Sequence, residues 1–207
     1  MDKWYLLPGM GADSSMYDLL HKEVPFEINY IDWPRYRGEK TFAEVAKRIV
    51  GEKDIKDGDI VGGSSLGGMI GIEIARLKSV RAVVLLGSAA SPAELQGSLS
   101  FFSPLIKIVP ISLIQTFAGK SENVVAKMFA KADEEFIRAM SLYMPGWQGL
   151  KDLQVPLFRI HGEKDRVIRC PKTGSEIVKN AGHFLAMTHA QECGAFLNKI
   201  KVLSFGE

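Results

Sequence analysis

A serine flanked by glycines stands where the sequence changes from a strand-like run to a helix-like pattern: residues 63–67 read GSSLG. A serine hydroxyl is a poor nucleophile unless it projects freely toward a base, and a sharp strand-to-helix turn can hold it in that way. The flanking glycines omit side chains that would clash in so tight a turn, and the N-terminus of the following helix favours a developing negative charge. The pattern indicates Ser65 as a candidate nucleophile and Ser64 as a structural neighbour, although glycine-flanked serines also occur in plain loops.

A carboxylate and an imidazole follow two later strand-like runs. Residues 161–165 read HGEKD and come directly after an apolar run, and residues 182–184 read GHF and come after the last such run. A carboxylate in this kind of turn can accept a hydrogen bond from a histidine ring, fix its tautomer and stabilise its charged form. The alternative for Asp165 is a turn residue whose charge is solvated.

The three segments resemble the motifs of the α/β-hydrolase family. In that family G-x-S-x-G between a strand and a helix is the nucleophile elbow, and the chain order is serine, acid, histidine. The H-G-x-x-D and G-H-F segments are similar to the family's acid and base loops. The resemblance spans almost the whole chain, and it implies Ser65 as the nucleophile, Asp165 as the triad acid and His183 as the general base.

The remaining histidines receive no catalytic role from this resemblance. His161 is expected to bond the backbone of its own turn. His21 falls in a surface-like helix, and His189 is expected to begin the last helix as a capping or surface residue. Glu163 occupies the position that the motif leaves variable.

The turn after the first strand-like run resembles half of an oxyanion hole. Residues 8–11 read PGMG, and glycine lets a backbone N–H face a site without a side chain in the way. In the related family the loop often begins with His-Gly, whereas proline stands in the histidine position here. The resemblance implies that the N–H groups of Met10 and Leu66 hold an oxyanion. The alternative is a simple loop.

The strand–helix alternation breaks at about residues 91–152, where the resembling family inserts a helical lid. Residues 101–117 are apolar but are interrupted by prolines and a lysine, so they do not form a membrane span. The insertion implies an apolar substrate pocket, whose candidate residues are Phe102, Phe117, Phe136, Met140 and Trp147. Two alternatives are that these side chains mainly pack the lid onto the core, and that residues 99–117 have a weak lipid-facing role.

Elsewhere short apolar runs alternate with helical patterns, which is typical of a doubly wound α/β fold with a mostly parallel sheet. We expect one domain over residues 1–207. The predicted strands cover residues 3–7, 26–31, the run before the elbow, 80–86, 155–160 and 175–179. The predicted helices cover residues 14–21 with Ser14 or Ser15 as the cap, a segment opened by Thr41 and Glu44 as a capping box, the segment after the elbow, and residues 121–131, 133–144 and 189–200.

The chain is short for the resembling family. No segment precedes the first strand, so we expect the fold's two leading strands to be missing and a trimmed sheet of about six strands to remain. The strand at residues 26–31 should then lie at a sheet edge, and little room is left for a helix between residues 165 and 183. An uncovered edge strand favours association, so a homodimer formed through this edge is a further hypothesis.

The composition is that of an ordinary globular protein. The 207 residues are 46% hydrophobic and 24% charged with a net charge of +2, which gives no strong attraction to nucleic acid or membranes. The two cysteines, Cys170 and Cys193, have no metal-ligand spacing around them and suggest reduced thiols in the cytosol. The absence of a secretory leader also favours a cytoplasmic location.

The resemblance implies a serine hydrolase that cleaves a carboxylic ester or thioester of a small apolar substrate through an acyl-enzyme, with no cofactor or metal. A second possibility is carbon–carbon bond hydrolysis or a lyase-type step on a dedicated metabolite with the same three residues. A third is a ligand-binding protein that has lost catalysis on the same scaffold.

Overall fold

Six parallel strands form the centre of the structure. The computed structural model describes residues 3–95 and 124–205, and within them one sheet has the strand order β2-β1-β3-β4-β5-β6. All five strand pairs are parallel. The strands are β1 (Trp4–Leu7), β2 (Asn29–Tyr30), β3 (Ile60–Ser64), β4 (Ala82–Leu86), β5 (Leu157–Gly162) and β6 (Glu176–Val178). The predicted fold class, a doubly wound α/β protein with about six strands, is confirmed.

Helices cover the sheet. They are α1 (Asp18–His21), α2 (Phe42–Lys53), α3 (Leu66–Leu77), α4 (Val124–Lys131), α5 (Glu134–Tyr143), α6 (Leu185–Thr188) and α7 (Ala190–Phe205). Short 3₁₀ segments occupy Ser14–Tyr17, Pro92–Leu95 and Met144–Gly146. Strands β3 and β4 are buried along their whole length, as expected for central parallel strands that are covered on both faces. Among the described residues, no helix combines the length and apolar character that crossing a membrane would need.

Helix α2 shows how the local sequence sets its start. The Thr41 side chain accepts a hydrogen bond from the Glu44 N–H at 3.1 Å, as the capping prediction requires. The Glu44 carboxylate accepts from the Lys40 N–H at 2.7 Å, one residue before the position of a standard capping box. The helix buries one apolar face of Phe42, Val45, Ala46 and Ile49, as predicted.

Several boundaries differ from the predicted ones. The N-cap of the first 3₁₀ segment is Asp13, not Ser14 or Ser15, because the Asp13 carboxylate accepts from the Ser15 N–H at 3.0 Å. Strand β5 begins at residue 157, since Pro156 has no N–H to give to a ladder. Only two residues of the predicted strand 26–31 pair with β1, although they do lie at the sheet edge as expected.

The region between β4 and β5 contains helices α4 and α5, close to the predicted helices 121–131 and 133–144. Phe102 and Phe117 fall outside the described residues. No helix lies between residues 163 and 184, in agreement with the short connection predicted there. The single domain over residues 1–207, the lid over 91–152 and the edge-to-edge homodimer stay predictions.

Candidate active site

Ser65 stands on a strained turn between β3 and α3. Its backbone has φ 50° and ψ −120°, a left-handed conformation that a non-glycine residue rarely adopts. A β-carbon at Gly63 or Gly67 would overlap the backbone carbonyl oxygen of Leu7. The turn therefore needs both glycines for close approach to β1, and it presents the partly exposed Ser65 side chain at the carboxyl edge of the sheet.

The three chemical groups predicted from the sequence lie in one hydrogen-bonded line. The His183 Nε2 atom is 3.1 Å from the Ser65 Oγ atom, and the His183 Nδ1 atom is 2.9 Å from the Asp165 Oδ2 atom. The residues come from three separate loops, after β3, β5 and β6. The side chain of Asp165 is fully buried and that of His183 is 11% exposed, so the line runs from the interior to the site opening.

Four N–H groups surround the Asp165 carboxylate. Its Oδ1 atom accepts from the backbone N–H groups of Val167 at 2.8 Å and Ile168 at 3.0 Å. Its Oδ2 atom lies 2.9 Å from the His183 ring and 3.1 Å from the His161 ring. Burial by itself disfavours the charge, but the hydrogen bonds from His161, His183 and Ile168 and the favourable electrostatic interaction with the His183 ring outweigh it and hold the pKa of Asp165 well below its ordinary value. The group is therefore a carboxylate that can only accept hydrogen bonds.

This acceptor fixes the tautomer of both rings. Because ionised Asp165 has no proton to give, the Nδ1 atom of His183 must carry one, which leaves Nε2 free to accept from the Ser65 hydroxyl. The Nε2 atom of His161 faces both Asp165 Oδ2 and the Ile168 carbonyl oxygen, each 3.1 Å away, so it is a donor to both. His161 lies in β5, and it bonds the backbone of the turn that follows this strand, as predicted, and also Asp165.

The Leu66 and Met10 N–H groups belong to two segments that meet at Ser65: Leu66 follows it in the chain, and a β-carbon added at Gly9 in the other segment would lie 3.6 Å from the Ser65 Cβ atom. Leu66 is the first residue of α3, so its N–H has no partner inside the helix, and Met10 lies in the loop after β1. The hydrogen bonds among the described residues leave both N–H groups without a protein acceptor. The loop is fixed elsewhere: the Trp33 ring N–H donates to the Gly9 carbonyl oxygen at 2.9 Å.

Comparison with known proteins agrees with this arrangement of strands and loops. The model of the alpha/beta hydrolase family matches residues 5–195. The chain belongs to the alpha/beta hydrolase family. A search of curated proteins finds no match for this hydrolase.

Solved structures with the same fold cover nearly the whole hydrolase. An esterase from Thermogutta terrifontis has 16% identity and a TM-score of 0.74, over 99% of this chain and 90% of that one. The N-acyl homoserine lactonase AidH has 17% identity and a TM-score of 0.75, over 99% and 90%. The enol-lactonase from Burkholderia xenovorans has 15% identity and a TM-score of 0.69, over 96% and 91%. At these identities the likeness shows the fold.

The pocket residues predicted within the described part of the hydrolase are all buried. Met140 is fully buried in the core. Phe136 packs on Trp33 with ring centroids 5.0 Å apart and lines a cavity of about 490 Å³ beside the Gly11 loop. Trp147 lines a second cavity of about 540 Å³, and its ring N–H donates to the buried Glu73 carboxylate at 2.9 Å. Ser65 is absent from the lining of both cavities, so a substrate-contacting role for these residues stays a prediction.

Two residues that support the site had no clear signal in the sequence. The Ser88 hydroxyl donates to the Ser65 carbonyl oxygen at 2.6 Å, from the loop after β4. Tyr17 is buried behind the elbow, and its hydroxyl contacts Ser64 and Leu7. The position of residues 87–92 at a strand end is a weak indication for Ser88, whereas nothing local points to Tyr17.

Proposed function

We propose that this chain is a serine hydrolase that cleaves a carboxylic ester or thioester through an acyl-enzyme. The observation that carries the proposal is the unbroken hydrogen-bonded line from Ser65 Oγ through the His183 ring to Asp165. Nucleophile, base and orienting carboxylate are each within hydrogen-bond reach of the next, which is the geometry that acyl transfer requires.

In the first half of the reaction His183 Nε2 takes the Ser65 proton while Ser65 Oγ bonds to the substrate's carbonyl carbon. The carbonyl oxygen becomes an oxyanion. When it collapses, the bond to the leaving alcohol or thiol breaks and His183 returns the proton to that leaving group. Asp165 keeps its negative charge throughout and stabilises the imidazolium form of His183.

In the second half a water molecule replaces the leaving group. His183 takes a proton from the water as its oxygen bonds to the acyl carbon. The new tetrahedral species expels Ser65 Oγ, which regains the proton from His183, and the carboxylic acid leaves.

The N–H groups of Met10 and Leu66 are the proposed oxyanion donors. Both lack a protein acceptor among the described residues and follow adjacent strands, β1 and β3, at the same edge of the sheet. The α3 N-terminus adds its partial positive charge at Leu66. Each such donor contributes about 3 kcal/mol to the stability of the transition state.

The activities of structurally similar proteins favour ester hydrolysis as the reaction. The neighbours include an esterase, an N-acyl homoserine lactonase and an enol-lactonase, and a lactone is a cyclic carboxylic ester. We therefore propose an open-chain or cyclic carboxylic ester of a small apolar acid as the first substrate class to test.

The deciding experiment is labelling with a fluorophosphonate probe, followed by mass spectrometry of the modified peptide. The wild-type chain should be labelled on Ser65, and Ser65→Ala should remove the label. Ser64→Ala is the matched control, because the Ser64 hydroxyl faces Tyr17 at 3.1 Å, and this variant should still take up the probe. Labelling that survives in Ser65→Ala would exclude Ser65 as the nucleophile.

A panel of p-nitrophenyl esters of graded chain length, with simple lactones beside them, then tests the substrate class. Turnover of short-chain esters or lactones that is lost in Ser65→Ala supports the proposal. A chain whose Ser65 is labelled but that turns over none of these compounds would contradict the ester proposal and direct attention to thioesters, which the same panel of acyl groups can test as thiol esters.

A further inference from the structure

Strands β1 and β3 end side by side and then diverge into the two loops that flank Ser65. Leu7 and Gly63 are the last residue pair in the register of β1 and β3. Beyond this step β1 leads to Met10 and β3 leads to Leu66, so the spacing between the two strand ends sets the spacing between the two N–H groups.

The Tyr17 hydroxyl joins these strand ends. It donates to the Leu7 carbonyl oxygen at 2.6 Å and accepts from the Ser64 N–H at 2.9 Å. The Ser64 hydroxyl lies a further 3.1 Å from it. One side-chain oxygen thus acts as an additional rung of the β1–β3 ladder, at the point where the strands separate.

The environment keeps this rung in place and in one protonation state. Tyr17 is 1% exposed, and its ring stacks on Tyr30 with centroids 5.0 Å apart and an interplanar angle of 27°. Burial raises the pKa of Tyr17 well above its ordinary value, so at neutral pH the hydroxyl keeps its proton and remains a donor to Leu7.

The residue before Tyr17 holds the other loop directly. The Gly9 N–H points at the Met16 sulfur atom, 3.4 Å away in a buried contact. Met16 and Tyr17 belong to the same 3₁₀ segment, which therefore contacts both the loop that carries Met10 and the strand end that carries Ser65.

We propose that Tyr17 is a positioning residue that sets the separation of the Met10 and Leu66 N–H groups. The inference rests on the proposed function, because it assigns Tyr17 a role in a reaction that needs both groups as oxyanion donors. Without the hydroxyl, the Leu7 oxygen and the Ser64 N–H are either left unpaired or drawn toward each other across the gap. Both outcomes move one donor relative to the other.

The expected kinetic effect follows from the geometry. Loss of a whole oxyanion donor costs about 10²- to 10³-fold in kcat, and misplacement by about 1 Å can cost about 10²-fold. We expect Tyr17→Phe to lower kcat by about 10- to 100-fold while KM changes less than about threefold, since the donors act on the transition state and not on the bound ester.

The experiment compares Tyr17→Phe with Tyr30→Phe in the full chain, on the best p-nitrophenyl ester. Tyr30 is the matched control, because its ring stacks on Tyr17 and its buried hydroxyl has no hydrogen-bond partner in the described structure. The kcat of Tyr30→Phe should stay within about twofold of the wild-type value, because this change removes no hydrogen bond. A trifluoromethyl ketone, which adds to a serine and forms an oxyanion, should bind Tyr17→Phe more weakly by the same factor as kcat falls.

The outcomes separate this inference from the proposed function. Ser65 labelling and turnover in the wild-type chain test the proposed function first. If these hold and Tyr17→Phe lowers only the melting temperature, with kcat and ketone affinity unchanged, the positioning role is overturned while the proposed function stands. A parallel loss in kcat and ketone affinity at constant KM supports it.

A second variant covers the case in which Tyr17→Phe does not fold. Met16→Leu removes the sulfur acceptor of the Gly9 N–H with little change in volume, and it should lower kcat and ketone affinity together by a smaller factor, about three- to tenfold. Unchanged kcat in a folded Met16→Leu protein would contradict the view that this 3₁₀ segment sets the donor spacing.

Discussion

Replacing Asp165 by asparagine tests the hydrogen-bonded line at the member that accepts the most hydrogen bonds. The change keeps the size of the side chain and removes one acceptor oxygen. Asp165 receives two backbone N–H groups on Oδ1 and two imidazole rings on Oδ2. The backbone donors cannot turn away, so the amide oxygen must stay on their side and the amide NH₂ must face the rings of His161 and His183.

The expected loss in kcat follows from the tautomer that this amide imposes on the His183 ring. Facing an NH₂ group, His183 must accept on Nδ1, which moves its proton to Nε2 and removes the acceptor for the Ser65 hydroxyl. The expected loss is about 10³- to 10⁴-fold in kcat, or roughly 4 to 5.5 kcal/mol in the activation free energy, with KM little changed.

Steady-state kinetics on the best ester substrate measures this loss, with Glu163→Gln as the matched control. Glu163 is an exposed carboxylate two residues away that accepts from the Asn180 N–H at 3.0 Å, so the same chemical change there should alter kcat by less than about twofold. If Asp165→Asn retains more than about a tenth of the wild-type kcat, the line from Ser65 to Asp165 does not operate as we propose.

The same variant has a second readout in stability. The pKa of Asp165 is lowered by folding from an ordinary value of 3.8, so its contribution to stability is fully present above that value and is lost as the pH falls through the folded-state pKa. The melting temperature of the wild-type chain should therefore fall more steeply below about pH 4 than that of Asp165→Asn. Parallel curves for the two proteins would show that the carboxylate is not stabilised by folding.

Three further predictions concern the scaffold. Gly63→Ala places a β-carbon against the backbone of β1 at φ 150°, so it should lower the free energy of unfolding in urea by about 3 kcal/mol or more. Trp147→Phe leaves the buried Glu73 carboxylate without its indole donor, so it should lower the free energy of unfolding by about 1 to 3 kcal/mol. Glu73→Gln keeps an acceptor for the indole and should lower this free energy less. Burial raises the pKa of Cys193 to about 12, so a disulfide reagent at neutral pH should modify the partly exposed Cys170 first and reach Cys193 only in urea. Equal rates of modification of the two cysteines in the folded protein would contradict the burial of Cys193.

The sequence was sufficient to predict the features that depend on local patterns. Ser65, Asp165 and His183 could be singled out because each follows a strand-like run and carries a short motif that resembles one of the family's, and parallel strands bring their carboxyl ends to one edge. Thr41 and Glu44 could be recognised as helix-start residues from their spacing alone. Strand β2 lies at the edge of the sheet, as predicted for residues 26–31.

Features that depend on distant contacts could not be predicted in this way. Tyr17 contacts Ser64 across 47 positions, and a tyrosine in a short helix has many possible partners. The Trp147 indole N–H donates to Glu73 across 74 positions, a contact that the apolar ring alone did not predict, and its role as a pocket wall stays a prediction. Asp13 and the two serines after it are all favourable N-caps, and only the backbone geometry decides among them.

The sheet order accounts for the glycine that directly follows β4. His183 follows β6, three strands from β3, so its segment has to cross the ends of β5 and β4 to reach Ser65. Gly87 directly follows β4 at φ 58°, and a β-carbon there would lie 2.7 Å from the Leu185 side chain and 3.2 Å from the His183 carbonyl oxygen. A larger residue would therefore press on the Leu185 side chain and on the backbone of His183. The segment that carries His183 can lie this close to the end of β4 because the residue after that strand has no side chain.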